Sequence, residues 1–305
     1  MDRFPGGEPV LQPGLSCGAG TGAIATGKPG PCTGIINPPH DHTDHPMRSL
    51  ILIVVLGLHL PTAAWAWGQT GHRVAGDIAA HYLSPEAKVA VERILGTETP
   101  ARASTWPDFM RADPSEFWQR TASPWHYVTV PPGKTYSEVG APPQGDAYTA
   151  LERFAATLRD RRASRDDQAL ALRFAIHIIA DLHQPLHVGN GSDRGGNQFT
   201  VTFFGENTNL HRVWDQHLIE RMELSYTELA TWLLADIDDR RFEAWNNPDP
   251  LVWIAESAEI RNRIYPTDRD LSWDYGFRWN AMVEQRLAQA GVRTAAWLNH
   301  VFARP

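Results

Sequence analysis

FAIHIIADLHQPLHV, residues Phe174–Val188, is the stretch whose reading settles how the rest of the chain folds. His177 and Asp181 stand four apart, so on a helix their side chains leave the same face one turn apart. Ile176, Ile178, Ile179 and Leu182 fill the positions around them, which predicts an apolar helix carrying two polar groups. Pro185 ends regular helix, and His187 follows in the turn it makes. An imidazole and a carboxylate in such surroundings each need a partner. Either the Asp caps the helix beside a structural His, or a cation sits with them. The second reading requires further ligands elsewhere in the chain.

Such ligands are present. His211 and Asp215, in NLHRVWD, repeat the i, i+4 spacing of His177 and Asp181. His72, Asp108, His126 and His187 stand as single candidates in short motifs, giving eight side chains in all. Two helical pairs with added single ligands can surround more than one cation in a helical bundle. All donors are nitrogen or oxygen and none is sulfur, which suits zinc ahead of iron, manganese or nickel. His81, His183, His217 and His300 read as ordinary core or surface histidines.

Working outward, the chain has 305 residues and a net charge of −7. Met47-Arg48-Ser49 opens the apolar run Leu50–Leu60, and Ala64-Trp65-Ala66 follows it. A basic start, a short apolar core and a small-x-small site describe a signal peptide over residues 47–66, too short for a comfortable membrane span. Cleavage after Ala66 would make Trp67 the mature N-terminus. Residues 1–46, rich in Gly and Pro, are expected to be disordered or to precede the true start, with His40, His42 and His45 in a solvated tail. Residues 67–305 then form one domain with a substantial core and a net charge of −6. A mildly acidic domain has no long-range attraction for polyanions, so any grip on nucleic acid must be local. Cys17 and Cys32 both precede this domain, which leaves metal as the available staple.

The mature part reads as mostly helical. Thr70 is the candidate N-cap of a first helix with Val74, Ile78 and Leu83 inward. Ser84-Pro85 starts a second helix that runs to Gly96. Thr97–Gly145, punctuated by prolines, reads as loop-rich. Helices are expected over Asp146–Arg162, Asp167–Leu182, Asn209–Glu220, Tyr226–Asp236, Pro250–Tyr265 and Leu271–Ala290, with a β-hairpin arm at Gln198–Phe204. The fold class is all-α, a single domain with a short hairpin near the site.

The segments WGQTGH from Trp67, WPD from Trp106, WHY from Trp125, HIIADLHQPLH from His177, DRGGN from Asp193 and NLHRVWD from Asn209 carry a resemblance. Over essentially all of Trp67–Arg304 the chain resembles the zinc-dependent, single-strand-specific S1/P1 nuclease family, whose helical fold is shared with bacterial zinc phospholipase C. The resemblance implies three Zn2+ ions. It assigns one to Asp108, His126, His177 and Asp181, and a second to His187, His211 and Asp215. It assigns the third to the α-amino group and carbonyl of Trp67 with His72, Asp181 bridging it to the first. It further implies an activated water attacking phosphorus, departure of the 3′ oxygen, and products with 5′ phosphates. Asp108 is then placed to orient that water. Arg111 matches a basic position suited to transition-state charge, and a plain surface Arg reads equally well.

The same resemblance puts Tyr127 where an aromatic ring stacks on a base. Thr129 stands where better-known members carry an acidic residue that reads the base edge, so base preference is expected to be weak. Asn197 reads either as a phosphate contact or as a loop-shaping residue. The expected substrates are single-stranded DNA and RNA and 3′-nucleotides, handled by a secreted or periplasmic monomer with no stable protein partner and no membrane anchor after cleavage. The alternatives are a zinc phospholipase C and a noncatalytic zinc-binding protein. Tyr127 and the absence of an apolar interfacial loop speak against the first, and ligand positions left open for water against the second.

Overall fold

The computed structural model describes residues 67–303. The signal peptide, both cysteines and the tail histidines of residues 1–66 lie outside the described residues. Helix α1 (Gln69–Tyr82) starts after Gly68, with no side chain capping it. Thr70, expected as the cap, therefore sits inside the first turn. Val74 and Ile78 are buried as expected, whereas Leu83 falls at the helix end and is only half-buried. Helix α2 (Pro85–Leu95) follows the expected signals: Ser84 accepts the Ala87 N–H, and Pro85 opens the first turn.

The proline-rich stretch to residue 145 is less irregular than its composition suggests. It contains α3 (Pro100–Ala103), α4 (Trp106–Met110), a π turn at Phe117–Thr121, a 3-10 turn at Ser123–His126, strand β1 (Val128–Thr129) and α5 (Tyr136–Val139). Proline stands in the opening turn of α3, α4 and the 3-10 turn, where its missing N–H costs nothing. These short turns carry Asp108 and His126.

Helices α6 (Ala147–Arg159) and α7 (Arg165–His183) are capped by Asp146 and Ser164. Every residue of α7 from Phe174 to His183 is buried, so the quoted stretch is an interior helix. A 3-10 turn at Pro185–His187 leads into β2 (Val188–Gly189). β1 and β2 pair in parallel, Val128 opposite Val188 and Thr129 opposite Gly189. The expected hairpin is β3 (Thr200–Phe203) against β4 (Glu206–Asn209). Its two turn residues, Phe204 and Gly205, both have positive φ, the backbone a tight right-twisted hairpin requires.

The helical remainder comprises α8 (Leu210–Arg212), a π turn at Val213–His217, α9 (Leu218–Glu220), α10 (Tyr226–Asp236), α11 (Asp239–Trp245) and α12 (Pro250–Ile264). β5 (Asp270–Leu271) then pairs in parallel with β3, and α13 (Trp273–Phe302) completes the chain. α11 escapes sequence reading because it is short and has no fully buried residue, only Phe242 and Trp245 packing half-buried against the core. α13 runs twelve residues past its expected end at Ala290. Gly291 does not terminate it. A Cβ there would lie 2.4 Å from Ile78 of α1, so the glycine lets the two helices touch. Apart from these corrections the described residues form the expected mostly helical domain with a short hairpin. No described helix is long and apolar enough to cross a membrane.

Candidate metal centre

Six elements deliver the eight candidate side chains. α1 carries His72, α4 carries Asp108, and the 3-10 turn before β1 carries His126. α7 brings His177 and Asp181, the turn after Pro185 brings His187, and the α8 segment with its π turn brings His211 and Asp215. All eight are buried. They assemble into three groups whose donor atoms lie within 4.8 Å of one another: His72 with Asp108 and His177, His126 with His177 and Asp181, and His187 with His211 and Asp215.

Asp181 is the hub. Its Oδ2 lies 3.1 Å from both His126 Nδ1 and His177 Nε2, while Oδ1 faces His72 Nε2 at 3.4 Å and His187 Nδ1 at 3.9 Å. His211 Nε2 is 3.0 Å from Asp215 Oδ2, and His187 Nε2 is 3.8 Å from Asp215 Oδ1. The His72 and His177 rings stack with centroids 4.0 Å apart.

Backbone carbonyls set the rings. Nδ1 of His177 donates to Ser104, that of His187 to His126 and that of His211 to Gly195, each at 2.6 Å. Fixing one ring nitrogen as donor leaves Nε2 facing the centre as the available ligand atom. Gln184 donates to Asp215 Oδ1 at 2.5 Å and orients that carboxylate. Trp67 is fully buried. Its indole donates to the Ala180 carbonyl, one residue before Asp181, and Gly68 N–H bonds the Asp215 carbonyl. Trp67 and Gly68 are thus tied to the segments that bear Asp181 and Asp215.

The protonation balance matches the donor set. Burial holds His72 and His126 well below the ordinary histidine value, with neighbouring histidines adding to the effect. Burial keeps His187 down at about 4 against the pull of Asp215. These rings are neutral and offer lone pairs. Burial also opposes charge on His177, but the Asp181 and Asp108 carboxylates outweigh it and raise His177 to about 9. Burial lifts Asp181 to about 7, with His177 pulling the other way.

Seven buried side-chain atoms of the cluster lack a hydrogen-bond partner: both nitrogens of His72, both oxygens of Asp108, Asp181 Oδ1, His187 Nε2 and Asp215 Oδ2. Among the described residues only Asn280 and Thr294 add to that set. Buried polar atoms are otherwise paired almost without exception. Orphaned nitrogen and carboxylate donors converging on one region fit divalent metal ions.

The remaining sequence candidates surround this centre. Arg111 Nη1 lies 3.6 Å from Asp108 Oδ1 with its side chain 31% exposed, so it bridges the cluster and solvent. Tyr127 is 46% exposed. With Thr129 it lines a cleft of about 370 Å3 whose walls also include Val139, Pro142 and Gln144. Asn197 donates its side-chain amide to the Arg194 carbonyl at 2.9 Å, a contact that shapes its own loop. His183 is structural as expected, donating to the Ile179 carbonyl. Sequence reasoning missed Gln184 and the exposed ring of Phe109 beside Asp108. The first was legible only as a polar residue between two ligands in DLHQPLH.

A family model described as S1/P1 nuclease matches residues 67–303. Endonuclease 4 of Arabidopsis thaliana is 30% identical over 296 residues, covering 84% of this chain and 96% of that protein. Nuclease S1 of Aspergillus oryzae is 29% identical, covering 85% of this chain and 100% of that protein. Nuclease P1 of Penicillium citrinum is 26% identical, covering 77% and 97% respectively.

Proposed function

The chain belongs to the S1/P1 nuclease family and is a phosphodiester-cleaving hydrolase; on that premise we propose that it is an exported, three-zinc endonuclease acting on single-stranded DNA and RNA. Its products carry 5′ phosphates, and it also acts as a 3′-nucleotidase. The observation that carries the metal reading is the set of seven orphaned donor atoms around Asp181.

One ion would be held by Asp108, His126, His177 and Asp181, a second by His187, His211 and Asp215, and a third by His72, Asp181 and the main chain of Trp67. Asp181 is suited to bridge because its two oxygens face different histidines. Zinc bound there supplies Lewis acidity toward phosphate and lowers the pKa of water. The chain's own groups do the rest. Asp108, buried beside Arg111, orients the attacking water. Arg111 reaches from the cluster edge toward solvent, where its guanidinium can take two phosphate oxygens at once. The Tyr127 ring stacks on a base at the mouth of the cleft, a contact every base can make. Thr129 offers a hydroxyl with no charge, so the cleft selects weakly among bases. The apolar start at residues 47–66 supports export.

Purified protein should be assayed on single-stranded DNA, on duplex DNA and on lecithin, with metal content measured in parallel. The expected result is cleavage of single strands with three zinc ions per chain. Hydrolysis of lecithin alone would replace the nuclease with a phospholipase, and zinc binding without any hydrolysis would reduce the protein to a metal carrier.

A further inference from the structure

Arg261 of α12 is 1% exposed, yet among the described residues no carboxylate forms an ion pair with it. Its Nη1 instead donates to three carbonyls: Val130 at 2.8 Å, Val188 at 2.6 Å and Gly189 at 3.0 Å. Nε and Nη2 are both taken by Asn262 Oδ1. The three carbonyls lie where β1 runs out beside β2. This parallel pair is two residues long, too short to hold register unaided. One strand of it continues from Tyr127. The other follows directly on His187, whose Nδ1 donates back to the His126 carbonyl.

Tyr265 stands four residues after Arg261, immediately past the last residue of α12. Its hydroxyl donates to Asp193 Oδ2 at 2.7 Å and accepts from the Asn190 amide at 3.2 Å. The other Asp193 oxygen accepts the Gly196 N–H at 2.9 Å. Between them, Arg194 and Gly195 both sit at positive φ, and a Cβ on Gly195 would lie 2.3 Å from the Leu186 carbonyl. That unusual backbone aims the Gly195 carbonyl at His211 Nδ1. A non-glycine residue holds a left-handed conformation only where its surroundings enforce it. Asp193, fixed by Tyr265, is one enforcing contact, and the Asn197 amide on the Arg194 carbonyl is another.

We propose that Arg261 and Tyr265 are positioning residues, a clamp at the C-terminal end of α12 that orients His187 and His211 for the ion they share with Asp215. Arg261 fixes the strand leaving His187, and Tyr265 fixes the loop whose carbonyl holds His211. Neither touches His126, His177 or Asp181. The clamp rests on the metal reading above, and it predicts that one ion can be loosened without the others.

The test uses the full metal-loaded protein, equilibrated with increasing chelator while zinc retained per chain is counted. Tyr265→Phe removes only the hydroxyl. One of its zinc ions is expected to leave at roughly 10- to 100-fold lower chelator strength than in wild type, the usual cost of losing a group that orients a ligand, while the others hold. Arg261→Met should do the same and also raise KM for single-stranded DNA, because Val130 directly follows β1, whose first residue adjoins Tyr127. Arg261→Lys, which keeps a donor without the fork, should recover part of both losses. If Arg261→Met does not fold, Tyr265→Phe decides alone. Unchanged retention in Tyr265→Phe, or equal weakening of every ion, overturns the clamp. A wild type that binds no zinc overturns the metal reading itself, and that arm is read before any variant.

Discussion

Stripping metal from the folded protein is expected to lower its melting temperature by roughly 8–16 °C. The figure follows from the seven orphaned atoms of the centre. A buried polar atom without a partner costs about 1–3 kcal/mol, so seven would cost at least about 7 kcal/mol. Part of that is recovered when metal leaves. His72 Nε2 and Asp181 Oδ1, 3.4 Å apart, can share a proton, and water can enter beside Arg111. Taking about half the minimum leaves a destabilisation of about 4 kcal/mol. For a domain of this size each kcal/mol moves the midpoint by about 2–4 °C. The domain has no cysteine after residue 32 and therefore no disulfide to mask the effect. The assay is a circular-dichroism melt with and without chelator, followed by zinc re-addition, which should restore both the midpoint and cleavage of single-stranded DNA. A melting curve unchanged by chelation would refute the reasoning, because the donor atoms would then be satisfied by something other than metal.

Asp181→Asn should abolish activity at least as fully as Asp215→Asn, since the Asp181 oxygens face four histidines and those of Asp215 face two; wild-type turnover in Asp181→Asn would end the bridging role. Tyr127→Ala should raise KM on single strands by the worth of one stacked base, about 1–3 kcal/mol or roughly 5- to 150-fold, with kcat nearly unchanged. A strong single-base preference in wild type would contradict the weak selection assigned to Thr129. In the metal-free protein His177 is raised to about 9 by Asp181 and Asp108 despite burial, above its unfolded value of 6.5. Its contribution to stability is therefore full below pH 6.5 and lost as pH rises through 9, and zinc, which must displace that proton, should bind more tightly across this window. Calorimetry in two buffers would expose the released proton, and an affinity independent of pH would remove it from the scheme. Protein beginning at Trp67 should hold more zinc and turn over faster than protein beginning one Ala earlier, because an amide nitrogen ligates poorly where an amine, of pKa near about 8, ligates well; equal zinc content in both would exclude the terminus as a ligand.

What the sequence made legible, and what it did not, divides along a chemical line. His177, Asp181, His211 and Asp215 could be read directly, because a helix converts a spacing of four into one face and their side chains announce their chemistry. The interior helix was legible from the apolar residues on either side of His177 and Asp181. The boundaries that failed did so for packing reasons. Gly291 looks like a helix stop until Ile78 is seen pressed against it, and α11 looks like loop because its two packing residues, Phe242 and Trp245, are too few to make a periodic face. The groups that orient the ligands were illegible for a deeper reason. Ser104, His126 and Gly195 act through their carbonyls, and every residue in the chain carries a carbonyl. Nothing in residue type marks those three. Arg261 and Tyr265 were equally hidden, since an Arg on a helix ordinarily reads as solvated, and only the fold places three carbonyls around this one. Side-chain ligands are therefore written in the sequence, while the geometry that makes them a centre is written in the backbone they meet after folding. It follows that substitutions harmful to this site should not be confined to its histidines and aspartates; they should cluster also at the positions, Gly195 and Arg261 first among them, that hold a carbonyl in place.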